Sequence, residues 1–367
     1  MNVEAAVLRM TDGPFCIEPL QIDAPRADEI LVRVVATGMC HTDHEVVHGH
    51  MPPAAPAVLG HEGAGVVEAV GAAVTRLVPG DHVVLSFPSC GTCPACQSGT
   101  PVRCDRIVAL SISGARADGS PTLRDAQGCP VHGCYFGQSS FATRALARAN
   151  DAVKVRKDAP LELLGPLGCG VQTGAGTVLN TLKPSPGSSI AVFGAGAVGL
   201  SAVMAAKIAG CGTVVVVDRV ASRLALALEL GATHVVNADR QDALTEIQKL
   251  GGVDHSVEAS GHPRAVEAAI MAIKPHGVCA LLGVAAPGTK ITLEHSHLLF
   301  LRTVVGVMQG DANPQTFIPK LVDYFLEGRL PVDRLSRLYE LKDINQALRD
   351  SASGAVIKPI IRLAARP

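Results

Sequence analysis

At 367 residues, with 48% hydrophobic and 18% charged side chains, the chain is too long for one ordinary core and too apolar for disorder, so two domains are expected. A net charge of −1 offers no electrostatic footprint for nucleic acid or for an anionic membrane. No apolar run reaches the roughly eighteen residues of a transmembrane helix, and residues 1–9 carry Glu4 and no signal-peptide core, which reads as a soluble cytoplasmic protein.

To about residue 155 the chain reads as short strands broken by Gly, Pro and Asp, for example over 30–35, 63–70 and 82–85. This is the texture of an irregular, mostly antiparallel β domain. The pattern changes near Gly187. An apolar strand over 189–193 leads through a glycine-rich turn into an Ala-rich helix ending near Gly210. Strand 214–218, helix 221–230, strand 234–237, a helix near 242–250 and strand 254–258 follow. Helix 263–273 and strands 278–283 and 303–307 complete the series. Strands alternating with helices at this spacing predict a parallel, doubly wound sheet. A further helix over 317–327 and a strand over 357–363 then return the tail to the first domain.

Eleven cysteines, an odd number in a long chain without secretory features, argue against a disulfide framework. Cys90, Cys93, Cys96 and Cys104 are clustered. Four thiolates close a tetrahedral zinc shell and leave no place for water, so this loop is expected to hold a structural zinc. Four unrelated thiols, or an iron–sulfur cluster of different spacing, are the rival readings. With aromatics at 3% and no Trp, the core must be built from Ala, Val, Leu and Ile. The remaining Cys16, Cys129, Cys134, Cys211 and Cys279 are expected to be buried as small apolar residues.

A second signal is dispersed over Cys40, His61 and Cys169. Two thiolates and an imidazole leave a fourth position open, as a catalytic zinc needs. Asp43 and Glu62 beside them suit outer carboxylates that orient the ligands, or are ordinary solvated acids. A third signal is Gly194, Gly196 and Gly199, with Ala197 and Val198 between the last two, set between a strand and a helix. Such glycines let a pyrophosphate approach the helix N-terminus. Asp218 ends the second strand, where a carboxylate accepts from the adenosine ribose and repels a 2′-phosphate. NAD is therefore expected over NADP, with Arg219 as a group that softens the preference.

At these residues the sequence resembles the zinc-containing medium-chain alcohol dehydrogenases over nearly its whole length. Within them the likeness is to the bacterial aryl-alcohol (benzyl alcohol) and geraniol dehydrogenase branch. The four-cysteine loop and the segments 60–63, 135–141 and 164–170 carry it. The resemblance implies a GroES-like, mostly β catalytic domain over 1–170 and 309–367, around a Rossmann NAD-binding domain over 171–308. It implies two zinc ions per chain and a homodimer or homotetramer formed through the cofactor domains.

Carried over by position, Cys40, His61 and Cys169 ligate the catalytic zinc, and Thr42 is the hydroxyl that takes the substrate proton. His41 and Lys358 contact the cofactor pyrophosphate, Thr173, Gly283 and Val284 border the nicotinamide, and Arg223 borders the ribose. Ser86, Tyr135, Phe136, Val284 and Met308 surround the alcohol, a lining that suits a benzyl or allylic group. One departure stands out. Glu45 occupies the position where many relatives carry the last histidine of the proton relay, with His44 and His48 as neighbours. The activity implied is reversible oxidation of a primary alcohol. Another alcohol class, a thiol adduct of formaldehyde, or a non-catalytic cofactor-binding relative are the alternatives.

Overall fold

The computed structural model describes residues 1–363. The chain divides into two compact units. The first holds Met1–Cys169, Asn313–Leu326 and the chain from Val332 onward; the second holds Gly170–Ala312 and Glu327–Pro331.

The first unit contains two sheets. One runs Ala57–Val58, Asn2–Leu8, Phe15–Ile22, Leu123–Arg124, Pro130–Val131. The other orders Ala152–Val155, His82–Leu85, Glu62–Val70, Glu29–Gly38, Lys358–Arg362 and Ser336–Glu340, with Arg144–Arg148 also on Glu29–Gly38. Its long central strand, Glu29–Gly38, runs Ile30, Leu31, Val32, then Val34 and Val35 after Arg33, and is buried along most of its length. Lys358–Arg362 pairs antiparallel with it, Ile360 opposite Gly38, so the C-terminal strand completes a sheet begun near the N-terminus. The core of this unit is aliphatic, with Phe15 and Phe141 meeting edge to face at 5.7 Å as its few aromatic anchors.

The second unit is a six-stranded sheet in the order His234–Asn237, Thr213–Asp218, Ser189–Phe193, Val253–Glu258, Ile273–Leu281, Thr303–Gly306. Every pair is parallel. From Ser189–Phe193 the chain winds first to one side and then crosses to Val253–Glu258, which opens a crevice at the carboxyl ends of these two strands. The helix Ala197–Ala209 is Ala-rich because Gly199 through Ala206 are all buried and leave little room. Gly199 itself has no space for a side chain, since a Cβ would collide with the Gly194 carbonyl.

Some boundaries differ from the sequence expectation. The helix Pro263–Met271 stops early and the next strand begins at Ile273, because Ile273 already pairs with Val253 ahead of a register shift. The helices His41–Val47 and Gly170–Gly176 were not anticipated, since His, Thr, Asp and Gly dominate them and neither shows helical periodicity. The leftover cysteines also need correcting. Cys279 is buried, Cys134 and Cys211 are half-buried, but Cys16 and Cys129 are exposed. Strand alternation turns Cys16 away from the face that buries Phe15, and Cys129 closes an exposed turn on Asp125. Among the described residues no helix is long and apolar enough to cross a membrane.

Asp151 is a buried acid with one weak partner. Its Oδ1 accepts from the Ser89 N–H at 3.2 Å, while Oδ2 meets no protein donor. Burial pushes its pKa up to about 7. The fold therefore prefers the protonated acid: this contribution is intact below about pH 4, the unfolded value, and is lost as pH rises to about 7. Asp151→Asn is expected to raise stability at pH 8 by about 1–3 kcal/mol and to leave it unchanged near pH 4. Denaturant midpoints at the two pH values check this; an equal shift at both contradicts it.

Candidate metal centres and dinucleotide site

The first centre gathers residues from distant parts of the first unit. Cys40 caps the helix His41–Val47, His61 precedes the strand Glu62–Val70, and Cys169 follows the short turn Gly165–Gly168. One ligand atom from each of Cys40, His61, Glu62 and Cys169 lies within 4.8 Å of all the others. Asp43 fixes two of these residues at once. Its Oδ2 accepts from the Cys40 N–H at 2.9 Å, while Oδ1 lies 3.1 Å from His61 Nδ1 and accepts from the Gly60 N–H. With Nδ1 committed to a fully buried carboxylate, His61 presents Nε2, a buried nitrogen that makes no hydrogen bond.

The chemistry of the donors supports a metal ion here. The Cys169 thiol draws Cys40 well toward thiolate, helped by Lys358 and His61. Two buried sulfurs this close cannot both ionise unless a cation lies between them. Two sulfurs and one imidazole nitrogen fit a zinc ion with an open position.

Beside this centre lies a buried ion pair. Lys358 Nζ donates to Glu62 Oε1 at 2.9 Å and to the Met39 carbonyl at 3.0 Å, and its side chain is only 4% exposed. Two of the three donors of the Lys358 ammonium are thus engaged within the first unit, by a buried carboxylate and a carbonyl. Burial raises Glu62 to about 6 against the opposing pull of Lys358. Lys358→Met strands that carboxylate and is expected to cost about 3–5 kcal/mol, read as a lowered denaturant midpoint. Adding Glu62→Gln should recover most of the loss; no recovery would place the cost elsewhere.

Tyr135 and Phe136 stand against the His61 ring. Phe136 stacks on it at 4.6 Å and Tyr135 meets it edge-on at 5.5 Å. Phe136 has φ 49°, a strained conformation for an aromatic residue, so the segment holds it there at some cost. The Tyr135 hydroxyl donates to the Thr42 carbonyl, and Thr42 Oγ1 lies 3.8 Å from the Cys40 sulfur. Ser86 is buried and its hydroxyl donates to the Gly168 carbonyl, next to Cys169. Val284 and Met308 belong to the second unit, where both are exposed, so neither unit alone groups all five expected pocket residues.

Gln138 went unassigned in the sequence, although it stands inside the segment 135–141. Its side chain donates to the His61 carbonyl and accepts from the Gly63 N–H, clasping the metal-donor segment. Glu45 is bracketed by His41 at 3.3 Å and His50 at 3.1 Å rather than by its sequence neighbours. His48 pairs instead with Asp12, and His44 is buried.

The second centre is the four-cysteine loop, whose sulfurs all lie within 4.8 Å of one another. Backbone N–H groups of Thr92 and Cys93 point at the Cys90 sulfur, and those of Cys90 and Arg106 at Cys104. The Thr92 N–H leads in drawing Cys90 down to about 5. Four such sulfurs with no free position fit a closed zinc site, around which Phe87, Val102 and Ile107 form a small apolar cluster.

In the second unit, Gly194 has φ +95° and its turn is locked by Asp218, whose Oδ2 accepts from the Ala195 N–H at 2.6 Å. Asp218 Oδ1 accepts from the Val220 N–H. Gly196 caps the helix Ala197–Ala209, and a Cβ there would meet nothing within 4 Å. Its missing side chain thus leaves open space over the free N–H groups of a helix start, a cradle that fits a pyrophosphate. Gly283 and Gly261 pack too closely for any side chain, beside the buried Glu258 that binds the Gly261 N–H. Thr173 and Arg223 are half-buried, and Arg219 is exposed.

Two family descriptions match the chain: "Alcohol dehydrogenase GroES-like domain" over residues 26–157 and "Zinc-binding dehydrogenase" over residues 197–326. A geraniol dehydrogenase from Castellaniella defragrans is 45% identical, with 98% of each chain covered. A benzyl alcohol dehydrogenase from Acinetobacter calcoaceticus is 46% identical and superposes with a TM-score of 0.95, covering 99% of this chain and 100% of that one. A zinc-binding domain alcohol dehydrogenase protein from Burkholderia ambifaria is 54% identical over the whole of both chains, with a TM-score of 0.98. With that family's two domain types present in order, and its zinc donors gathered as described, the chain belongs to the zinc-binding medium-chain alcohol dehydrogenases and is an oxidoreductase.

Proposed function

We propose that this enzyme oxidises a primary aryl or allylic alcohol to the aldehyde with NAD, reversibly. The observation that carries the substrate class is the half-buried Phe136 ring stacked on His61, with the fully buried Tyr135 packed edge-on against both, an aromatic face beside the metal donors that favours a flat, unsaturated substituent. The names of the geraniol and benzyl alcohol dehydrogenase relatives support the same class. Asp218 and the open cradle at Gly196 support NAD.

Bound zinc supplies Lewis acidity at the alcohol oxygen, and bound NAD supplies the hydride acceptor. The protein's own groups do the rest. Cys40, His61 and Cys169 hold the zinc, and Asp43 keeps the His61 ring in the tautomer that presents Nε2. Thr42 Oγ1 would accept the hydrogen bond of the substrate hydroxyl and give up its own hydroxyl proton as it takes that one. Glu45, between the imidazoles of His41 and His50, stands at the sequence position where many relatives carry the last histidine of the proton relay. Glu62 and Lys358 fix the floor of the site, and Cys90, Cys93, Cys96 and Cys104 hold the structural zinc.

The catalytic domain is taken as 1–170 with 309–367 and the NAD-binding domain as 171–308. His41, Thr173, Gly194, Gly196, Gly199, Arg223, Gly283 and Val284 are assigned to the cofactor. A homodimer or homotetramer through the cofactor domains is supported by Leu299, Phe300 and Leu301, exposed just before the edge strand Thr303–Gly306. Eleven cysteines, six of them assigned to zinc and none joined in a disulfide, suit the reducing cytoplasm.

The test is NADH production with benzyl alcohol, geraniol and ethanol. The first two should exceed ethanol in kcat/KM by about 10²-fold or more, the size of a buried aromatic contact. Ethanol turned over equally well would remove the aromatic face from the account, and turnover only of a formaldehyde thiol adduct would replace the substrate class.

A further inference from the structure

Asp218 is the acid that faces the ribose, yet the next residue is a cation. Arg219 has the guanidinium geometry that binds a phosphate with two parallel donors. Left free beside Asp218, it would offset the repulsion that keeps a 2′-phosphate away. It is not free: its Nε donates to Asp239 Oδ1 at 2.6 Å.

The loop after His234–Asn237 is built so that Asp239 meets it. The Ala238 N–H donates to the Asp218 carbonyl at 3.0 Å, extending the ladder between the two strands. Asn237 Nδ2 donates to the Arg219 carbonyl at 3.2 Å, and the Asp239 N–H donates back to Asn237 Oδ1 at 3.0 Å. Three backbone-linked bonds therefore set Asp239 opposite Arg219 across neighbouring strand ends.

We propose that Asp239 is a specificity-determining residue that holds the Arg219 guanidinium and cancels its charge, so that NADP is rejected by two acids, Asp218 directly and Asp239 through Arg219. This rests on NAD being the cofactor. The pair is exposed, with side-chain exposures of 74% and 51%. Exposed pairs are weak, so releasing the arginine should change relative cofactor affinity by only about three- to fivefold, less at high salt.

Binding of NADH and NADPH to the intact enzyme, followed by the change in reduced-nicotinamide fluorescence, tests this without reference to any alcohol. Asp239→Asn should improve NADPH affinity relative to NADH by about three- to fivefold. The same substitution made on an Arg219→Ala background should give no such change. An unchanged ratio in Asp239→Asn overturns the proposal, as does an equal change without Arg219, which would make Asp239 a simple repelling charge. Tighter binding of NADPH than NADH by the unaltered enzyme is a separate result: it overturns the NAD reading, while the comparison of the two backgrounds still decides the role of Asp239.

Discussion

His61→Ala is expected to lower alcohol oxidation by at least about 10³-fold, with the protein still folded and its structural zinc retained. The imidazole is the one nitrogen donor of the three-residue set. Its Nε2 has no other partner, and its Nδ1 is held by a carboxylate that also holds the Cys40 backbone. Removing the ring also removes the surface on which Phe136 stacks. Asp43→Asn should act through the same ring more mildly, by about 10–100-fold, since it disturbs orientation and basicity without removing a ligand. Zinc content per chain and kcat measured together check both. A His61→Ala enzyme with one zinc fewer and undiminished kcat would contradict the assignment.

Cys104→Ser should act on the fold rather than on the chemistry. Among the described residues, the apolar support of the lobe around the four sulfurs is a small cluster of Phe87, Val102, Ile107 and Leu110. Binding energy of a structural zinc, roughly 10–16 kcal/mol in small zinc domains, must supply what that cluster cannot. Loss of one ligand is expected to release the zinc, lower the melting temperature by about 10 °C or more, and open residues 90–106 to proteolysis. A variant that keeps its melting temperature after losing that zinc would show the lobe to be held by other contacts.

The parts of this molecule that could be read in advance are those encoded locally. Val214, Val215, Val216 and Val217 are buried on both faces of a parallel sheet, so their strand appears as one unbroken apolar run. Gly194, Gly196 and Gly199 occupy one turn, and the four clustered cysteines one loop. Cys40, His61 and Cys169 are separated by most of the first unit; only their resemblance to a family joined them in the sequence, whereas the fold brings their donors together.

Pairs created by strand order stayed hidden. The resemblance gives Lys358 a phosphate contact and says nothing of a carboxylate. Its strand, however, pairs with Glu29–Gly38, which points the ammonium at Glu62 beneath the donors. Asp239 carries no motif of its own, and it is the ladder of Asp218 with Asn237 that sets it against Arg219. The exposure of Cys16 is likewise a matter of which face its strand turns outward. No composition or spacing carries these facts, because they depend on partners far away in the chain.

The most direct test of the central claim is NADH formation with benzyl alcohol before and after selective removal of the zinc bound by Cys40, His61 and Cys169, with metal content measured on the same samples. The account predicts two zinc ions per chain at the start, loss of turnover when the first leaves, and its return when zinc is restored. Unchanged turnover after verified loss of that ion would contradict it.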